Sequence, residues 1–107
     1  METKKKEIKE AIHELAKKNN AILALLFGSY GRGTQTKHSD LDVIFVQETD
    51  KPFLKRLDPY FFPLSELMGA AVDVFVYTPQ EYRRMKKKFF VQRALKEGEI
   101  IFESRKL

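Results

Sequence analysis

The sequence predicts an α/β (α+β) fold, a small mixed β-sheet flanked by helices, and three observations predict it. Three short apolar runs, at residues 21–27, 41–47 and 71–77, have the length and composition of buried strands. Segments with helical periodicity or helix-start signals separate them, and that alternation is the mark of helices packed on a sheet. The chain has 107 residues, 43% of them hydrophobic and nine of them Phe, which suits one core and one domain over residues 1–107.

The opening helix is expected over residues 3–19. Ile8, Ala11, Ile12, Leu15 and Ala16 recur at helical spacing with charges between them, and Asn19-Asn20 is a plausible stop. Residues 21–27 form a continuous apolar run ending at Gly28, a buried strand. Residues 28–39 are rich in Gly, Ser and Thr and read as turn and loop, with room for one helical turn after Ser29. Residues 41–47 are the second strand. Pro52 opens a helix to about Met68 that Pro59 and Pro63 must break or kink, with Gly69 at its end. The third strand follows at 71–77. Thr78-Pro79-Gln80-Glu81 is a strong helix start, with a capping Thr, Pro at the first helical position and Glu completing a capping box. That helix, allowing an interruption, runs to about Lys96. Gly98 terminates it, and a short last strand covers 99–102.

The chain contains no cysteine, so disulfides and thiolate metal sites are excluded. No charged leader followed by an apolar run opens it, and no apolar stretch is long enough to span a bilayer, so the expected location is the cytoplasm. The net charge is +5. That sign suits a nucleotide or nucleic-acid partner, and equally a solvated lysine surface, since the charge is spread along the chain.

The chemistry concentrates in two segments. Gly28-Ser29-Tyr30-Gly31-Arg32-Gly33 follows a buried strand. Glycine at 28 allows a sharp turn and close approach of a phosphate to the backbone, Ser29 offers a hydroxyl and an N–H, and Arg32, one turn on, can reach the β- or γ-phosphate as a fork donor. Gly31 and Gly33 are expected to keep the loop open. The turn is neither a P-loop nor a dinucleotide fingerprint, because the Gly-Lys-Ser/Thr and the glycine spacing are missing. In the second segment, Asp40 and Asp42 lie one residue apart at the start of a strand, so they point to one face about 6.6 Å apart along it, while Leu41, Val43 and Phe45 face the other way. Asp73 sits between Val72 and Val74, and burying it alone is costly. If its strand lies beside that of Asp42, three carboxylates converge. Their repulsion raises a pKa and is relieved by divalent cations, Mg²⁺ above all. Two such ions, roughly 4 Å apart, can clamp a phosphoryl displacement. The plain alternatives are a turn cap, a solvated strand residue and an ion-pair partner. The Gly-Ser turn upstream favours the site.

Gly28-Ser29, ten intervening residues, Asp40-Leu41-Asp42 and a later Asp73 together resemble the nucleotidyltransferase superfamily that includes DNA polymerase beta. The minimal nucleotidyltransferase (MNT) members are more similar still, including the tail Arg93-Ala94-Leu95-Lys96-Glu97-Gly98 with Ile100-Ile101-Phe102-Glu103. The resemblance implies Mg²⁺-dependent nucleotidyl transfer from ATP or another nucleoside triphosphate. It implies triphosphate contacts at Gly28, Ser29 and Arg32, and metal-binding, catalytic roles for Asp40, Asp42 and Asp73. It also implies a partner, a helical HEPN ribonuclease toxin that some members silence by attaching AMP to its tyrosine. A binding module that occludes such a partner, or transfer to RNA, are the competing expectations.

Other residues carry weaker signals. His38, beside Ser39-Asp40, is expected to be a solvated loop residue and His13 a surface one. Phe61-Phe62 and Phe89-Phe90 are expected to be mostly core, with some available as a partner face. Arg83-Arg84 and Lys86-Lys87-Lys88 form a basic stripe on a solvated helix face, RNA or an acidic partner being the functional alternative. Tyr30 packs either on a ribose or base or at the surface.

Overall fold

The structure is a computed structural model that describes residues 2–69 and 71–107. The first amphipathic segment forms α1 (Glu2–Lys18), which buries Ile8, Ile12 and Ala16 completely. It stops where expected. Asn20 takes a left-handed φ of 58°, a conformation Asn tolerates, and the Asn19 side chain donates to the Leu15 carbonyl at 2.8 Å. The chain then runs through β1 (Leu23–Phe27), a short α2 (Gly28–Arg32), β2 (Leu41–Val46), a 3₁₀ turn (Phe53–Arg56) and α3 (Asp58–Met68). It continues through β3 (Val72–Tyr77), α4 (Pro79–Met85), α5 (Phe89–Glu97) and β4 (Glu99–Glu103).

The four strands lie in the order β3-β2-β1-β4. β1 is antiparallel to both β2 and β4, and β2 pairs with β3 in parallel, the α3 connection supplying the crossover that a parallel pair requires. Alternation along each strand sorts side chains onto two faces. Leu41, Val43 and Phe45 of β2, with Val72, Val74 and Val76 of β3, pack under α1 and α3. Phe45 stacks on Tyr60 with ring centroids 3.8 Å apart. On the opposite face, Leu25, Phe27, Ile44, Val46 and Tyr77 meet Tyr82 of α4 and Val91 and Ala94 of α5. The helices on this second face leave the β2 and β3 starts uncovered: Asp42 is half-buried and Asp73 is exposed.

The helix expected from Pro52, with a break or kink at Pro59 and Pro63, is divided into a 3₁₀ turn followed by α3. Pro59 lies in the first turn of α3, where an N–H has no partner within the helix and its absence costs nothing. Pro63, expected to break or kink the segment, lies inside α3, which continues to Met68 despite the backbone donor it lacks. The helix expected from Thr78 to Lys96 divides into α4 and α5, with Lys88 extended between them. Its capping box is present. Glu81 N–H donates to Thr78 Oγ1 at 3.2 Å, and Thr78 N–H donates to Glu81 Oε1 at 2.9 Å.

Glu81 is tied down a second time. Arg56 donates to its two carboxylate oxygens at 2.6 and 3.3 Å, to the Val76 carbonyl at 3.2 Å and to the Lys51 carbonyl at 2.8 Å. The hydrogen bond from Arg56 pulls the Glu81 carboxyl below its usual range. A depressed acid stabilises the fold above its unfolded pKa and loses that contribution as pH falls through the folded one. Gly31 and Gly98 serve close packing. A Cβ at Gly31 would lie 2.7 Å from the Leu26 carbonyl oxygen and 3.0 Å from Gly98 Cα, so α2 rests directly on β1 and on the α5–β4 turn. Gly31 is therefore a contact point and not the loop opener the sequence suggested.

Thr78→Ala should cost about 1 kcal/mol, the usual loss for an N-cap, and Phe45→Ala about 3–5 kcal/mol. Urea unfolding of the two variants checks both values.

Candidate active site

Strand register builds the site. Asp42 and Asp73 are direct Cα partners across the parallel β2–β3 pair, and Asp42 faces Phe27 across the β1–β2 pair. Side chains paired in this way project to the same face, so the two carboxylates from separate strands stand together. Gly28 follows Phe27 with φ +66°, and a Cβ built on it would overlap Asp42 Oδ2. Only glycine lets the turn pass this close to the acid.

The Asp42 carboxyl is pushed up from 3.8 to about 6. Burial is the largest cause, followed by the charge of Asp73 and a side-chain hydrogen bond with it, then the charge of Asp40, while Arg32 acts in the opposite direction. Asp40 lies one residue ahead of β2, exposed, and bears on Asp42 through its charge. Among the described residues, no set of three or more His, Cys, Asp or Glu side chains stands gathered as a ready metal cage. The close association is thus a pair, Asp42 with Asp73, and Asp40 is its neighbour. Hard carboxylate oxygens held together against their own repulsion fit a divalent cation of the Mg²⁺ type.

Ser29 is half-buried in the first turn of α2, and its carbonyl accepts from the Thr34 N–H at 2.9 Å, which closes the turn. Arg32 is exposed and occupied: its Nη1 donates to Glu97 Oε2 at 3.3 Å, while Arg93 Nε donates to Glu97 Oε1 at 3.3 Å. Tyr30 takes neither of its expected roles. It is only 6% exposed and belongs to the core under α1 and α3. His38 is an exposed loop residue whose N–H donates to Thr36 Oγ1 at 3.2 Å. His13 is at the surface, edge-on to Phe102.

Phe61 packs against the core, but Phe62, Phe89 and Phe90 are 62%, 77% and 41% exposed, contrary to a mostly core role. Phe90 stands edge-to-face on Phe27 with centroids 5.5 Å apart, and Phe75 lies 5.5 Å from it. Phe27, Gly28 and Arg32 on one side, with Phe90, Ala94 and Glu97 on the other, line a cleft of about 550 Å³. This aromatic wall and Glu97 were missed in the sequence. One signal was there to find: Phe27 immediately precedes the critical glycine.

The raised Asp42 pKa has a defined sign. The folded state binds the proton more tightly than the unfolded state, so this group's contribution to stability is greatest below about pH 4 and declines as pH rises towards 6. In metal-free buffer, Asp42→Asn should therefore raise Tm at pH 7 and leave it nearly unchanged at pH 4. A melting series in the presence of a chelator checks this.

Residues 9–107 match the family described as Polymerase beta, Nucleotidyltransferase. Two relatives come from Methanocaldococcus jannaschii, each named "Putative protein adenylyltransferase". One is 27% identical over 99 residues, covering 91% of this chain and 96% of that protein. The other is 35% identical over 71 residues, covering 66% and 75%. Among solved structures, a toxin-antitoxin with AMP-PNP superimposes with a TM-score of 0.69 at 22% identity, covering 91% of this chain and 74% of that one. A mutant of the toxin-antitoxin MntA-HpeT gives 0.68 at 20% identity over the same shares. At these identities the two likenesses speak to the fold. The family match runs over nearly the whole chain and takes in both carboxylate-bearing strands, so the protein belongs to the polymerase beta nucleotidyltransferase family.

Proposed function

We propose that the protein is a Mg²⁺-dependent adenylyltransferase that moves AMP from ATP to a hydroxyl, a tyrosine of a HEPN toxin, and so acts as an antitoxin. The observation that carries this reading is the in-register Asp42–Asp73 pair, pressed against Gly28, with Asp42 raised to about 6. The names of the two Methanocaldococcus jannaschii relatives, each reading "Putative protein adenylyltransferase", support the reaction type. The toxin-antitoxin likenesses support the partner class.

In this reading the acceptor oxygen attacks the α-phosphorus of ATP, the bond to the bridging oxygen breaks and pyrophosphate leaves. Asp42 and Asp73, with Asp40 beside them, hold divalent cations. A divalent cation held by these carboxylates would neutralise them and supply charge to polarise the phosphoryl oxygens. Asp73, the more exposed of the close pair, receives the proton of the attacking hydroxyl. Gly28 brings the backbone close to the triphosphate, Ser29 offers it a hydroxyl and an N–H, and Arg32 leaves Glu97 to meet it. That exchange costs little, because solvent screens an exposed ion pair. Occlusion without chemistry is the second reading, favoured by the exposed Phe62, Phe89 and Phe90, a face that a partner could cover.

The test is incubation with α-labelled ATP, Mg²⁺ and a HEPN-family protein encoded beside the gene. Label should appear on that protein, on tyrosine. Asp42→Asn and Asp73→Asn should each lower the rate by about 10²–10³-fold, in keeping with loss of several kcal/mol of charge stabilisation. Undiminished labelling by Asp40→Ala/Asp42→Ala would refute the site, and silencing of the toxin by that double variant would establish occlusion.

A further inference from the structure

Nothing in the acid pair or the Gly-Ser turn explains the aromatic cleft beside them. α5 presents Phe90, Ala94 and Glu97 to it, positions i, i+4 and i+7 on one helix face, which extend about 10 Å along the axis. Gly28 and Arg32 of α2 form the facing wall, with Phe27 at one end. The aromatic ring of Phe90 is held edge-on by Phe27 and Phe75 at 5.5 Å each and still remains 41% exposed. An apolar ring braced from behind and open in front suits a flat π-surface, which gains by stacking whatever its polar edge pattern.

We infer that this cleft is the seat of the nucleotide's base, a purine ring stacked in front of Phe90 and over Ala94. The inference rests on the nucleotidyl-transfer reading and adds to it the group that holds the base. Tether length favours the base over the acceptor's ring. The cleft adjoins Gly28 and Arg32 of the turn assigned to the phosphates, so a base carried on a triphosphate that runs from the acid pair to that turn has the cleft within reach of its ribose. An acceptor ring has no such tie. The volume of about 550 Å³ accommodates a nucleoside and not merely a ring. Tyr30, the aromatic residue inside the phosphate turn itself, cannot serve, since it is buried on the far side of the sheet.

The experiment compares ATP, UTP and inorganic tripolyphosphate by calorimetry in Mg²⁺, using wild type, Phe90→Ala and Phe90→Leu. Phe90→Leu keeps the apolar bulk, so it guards against misfolding, and circular dichroism melts accompany each variant. ATP should bind more tightly than tripolyphosphate to the wild type. Both Phe90 variants should lose about tenfold in ATP affinity, the scale of one base–aromatic stack, and should bind tripolyphosphate as before. UTP, with its smaller ring, should lose less. Equal binding of ATP and tripolyphosphate by the wild type would overturn the base seat. So would unchanged ATP affinity in Phe90→Leu, and if that variant instead showed a raised KM for the protein acceptor, the cleft would be the acceptor's. Either result leaves the transfer reading standing as long as Asp42→Asn slows labelling by the factor given above. Failure of all three ligands to bind would remove both.

Discussion

Pairing of β2 with β3 is the constraint on which the rest of the structure depends. The two strands run parallel and in register from Leu41–Val72 to Val46–Tyr77, and this places Asp42 beside Asp73. A slip of one residue would turn Asp73 into the face under α3 and expose Val72, Val74 and Val76. Three valines and the facing Leu41, Val43 and Phe45 therefore enforce a register whose chemical consequence lies on the opposite face of the sheet. Backbone bonds extend the pairing at both ends, from Leu41 N–H to the Ala71 carbonyl at 3.1 Å and from Gln47 N–H to the Tyr77 carbonyl at 2.9 Å. The Arg56–Glu81 pair then ties the 3₁₀ turn, the β3 backbone and the start of α4 together.

Hydrophobic burial enforces an arrangement that electrostatics opposes. Two neighbouring carboxylates repel, and the raised Asp42 pKa expresses burial first and that repulsion second. The fold tolerates the pair because it lies at the uncovered starts of the strands, where solvent or a cation can reach it. Farther along the same face, Ile44, Val46 and Tyr77 close into the core under α4 and α5. Within six residues β2 thus passes from a half-buried acid to a dry interior.

The second face divides into a sealed and an open part. Gly31 and Gly98 allow α2, β1 and the α5–β4 turn to meet at backbone contact, which brings the Gly28 turn against the sheet. α5 then stands far enough from α2 to leave the cleft between Phe90 and Gly28. Arg32 and Arg93 share Glu97 at its far end, an exposed arrangement of low energetic weight that an anion can reorganise. Arg83 and Arg84 are exposed on α4, whereas Lys87 and Lys88 are exposed in the α4–α5 connection, so the basic stripe expected on one helix face is divided between a helix and a turn.

What could be read without coordinates was whatever repeats or signals locally. The spacing of Ile8, Ile12 and Ala16 defined α1, the apolar runs defined β1 to β3, and Thr78 with Glu81 defined the start of α4, because each depends on neighbours within one or two turns of chain. Asp40 and Asp42 with Gly28-Ser29 marked the candidate site because their spacing is itself local. The partnership of Asp42 with Asp73 required β2 and β3 to be adjacent, parallel and in register, a condition set by the crossover and the buried valines. Tertiary packing alone decided that Tyr30 is core, that Phe89 and Phe90 are exposed, that Arg32 meets Glu97 and that Arg56 holds Glu81. Each of those outcomes joins residues far apart in the chain or depends on which helix face meets the sheet, and neither quantity is encoded in a residue's immediate neighbours.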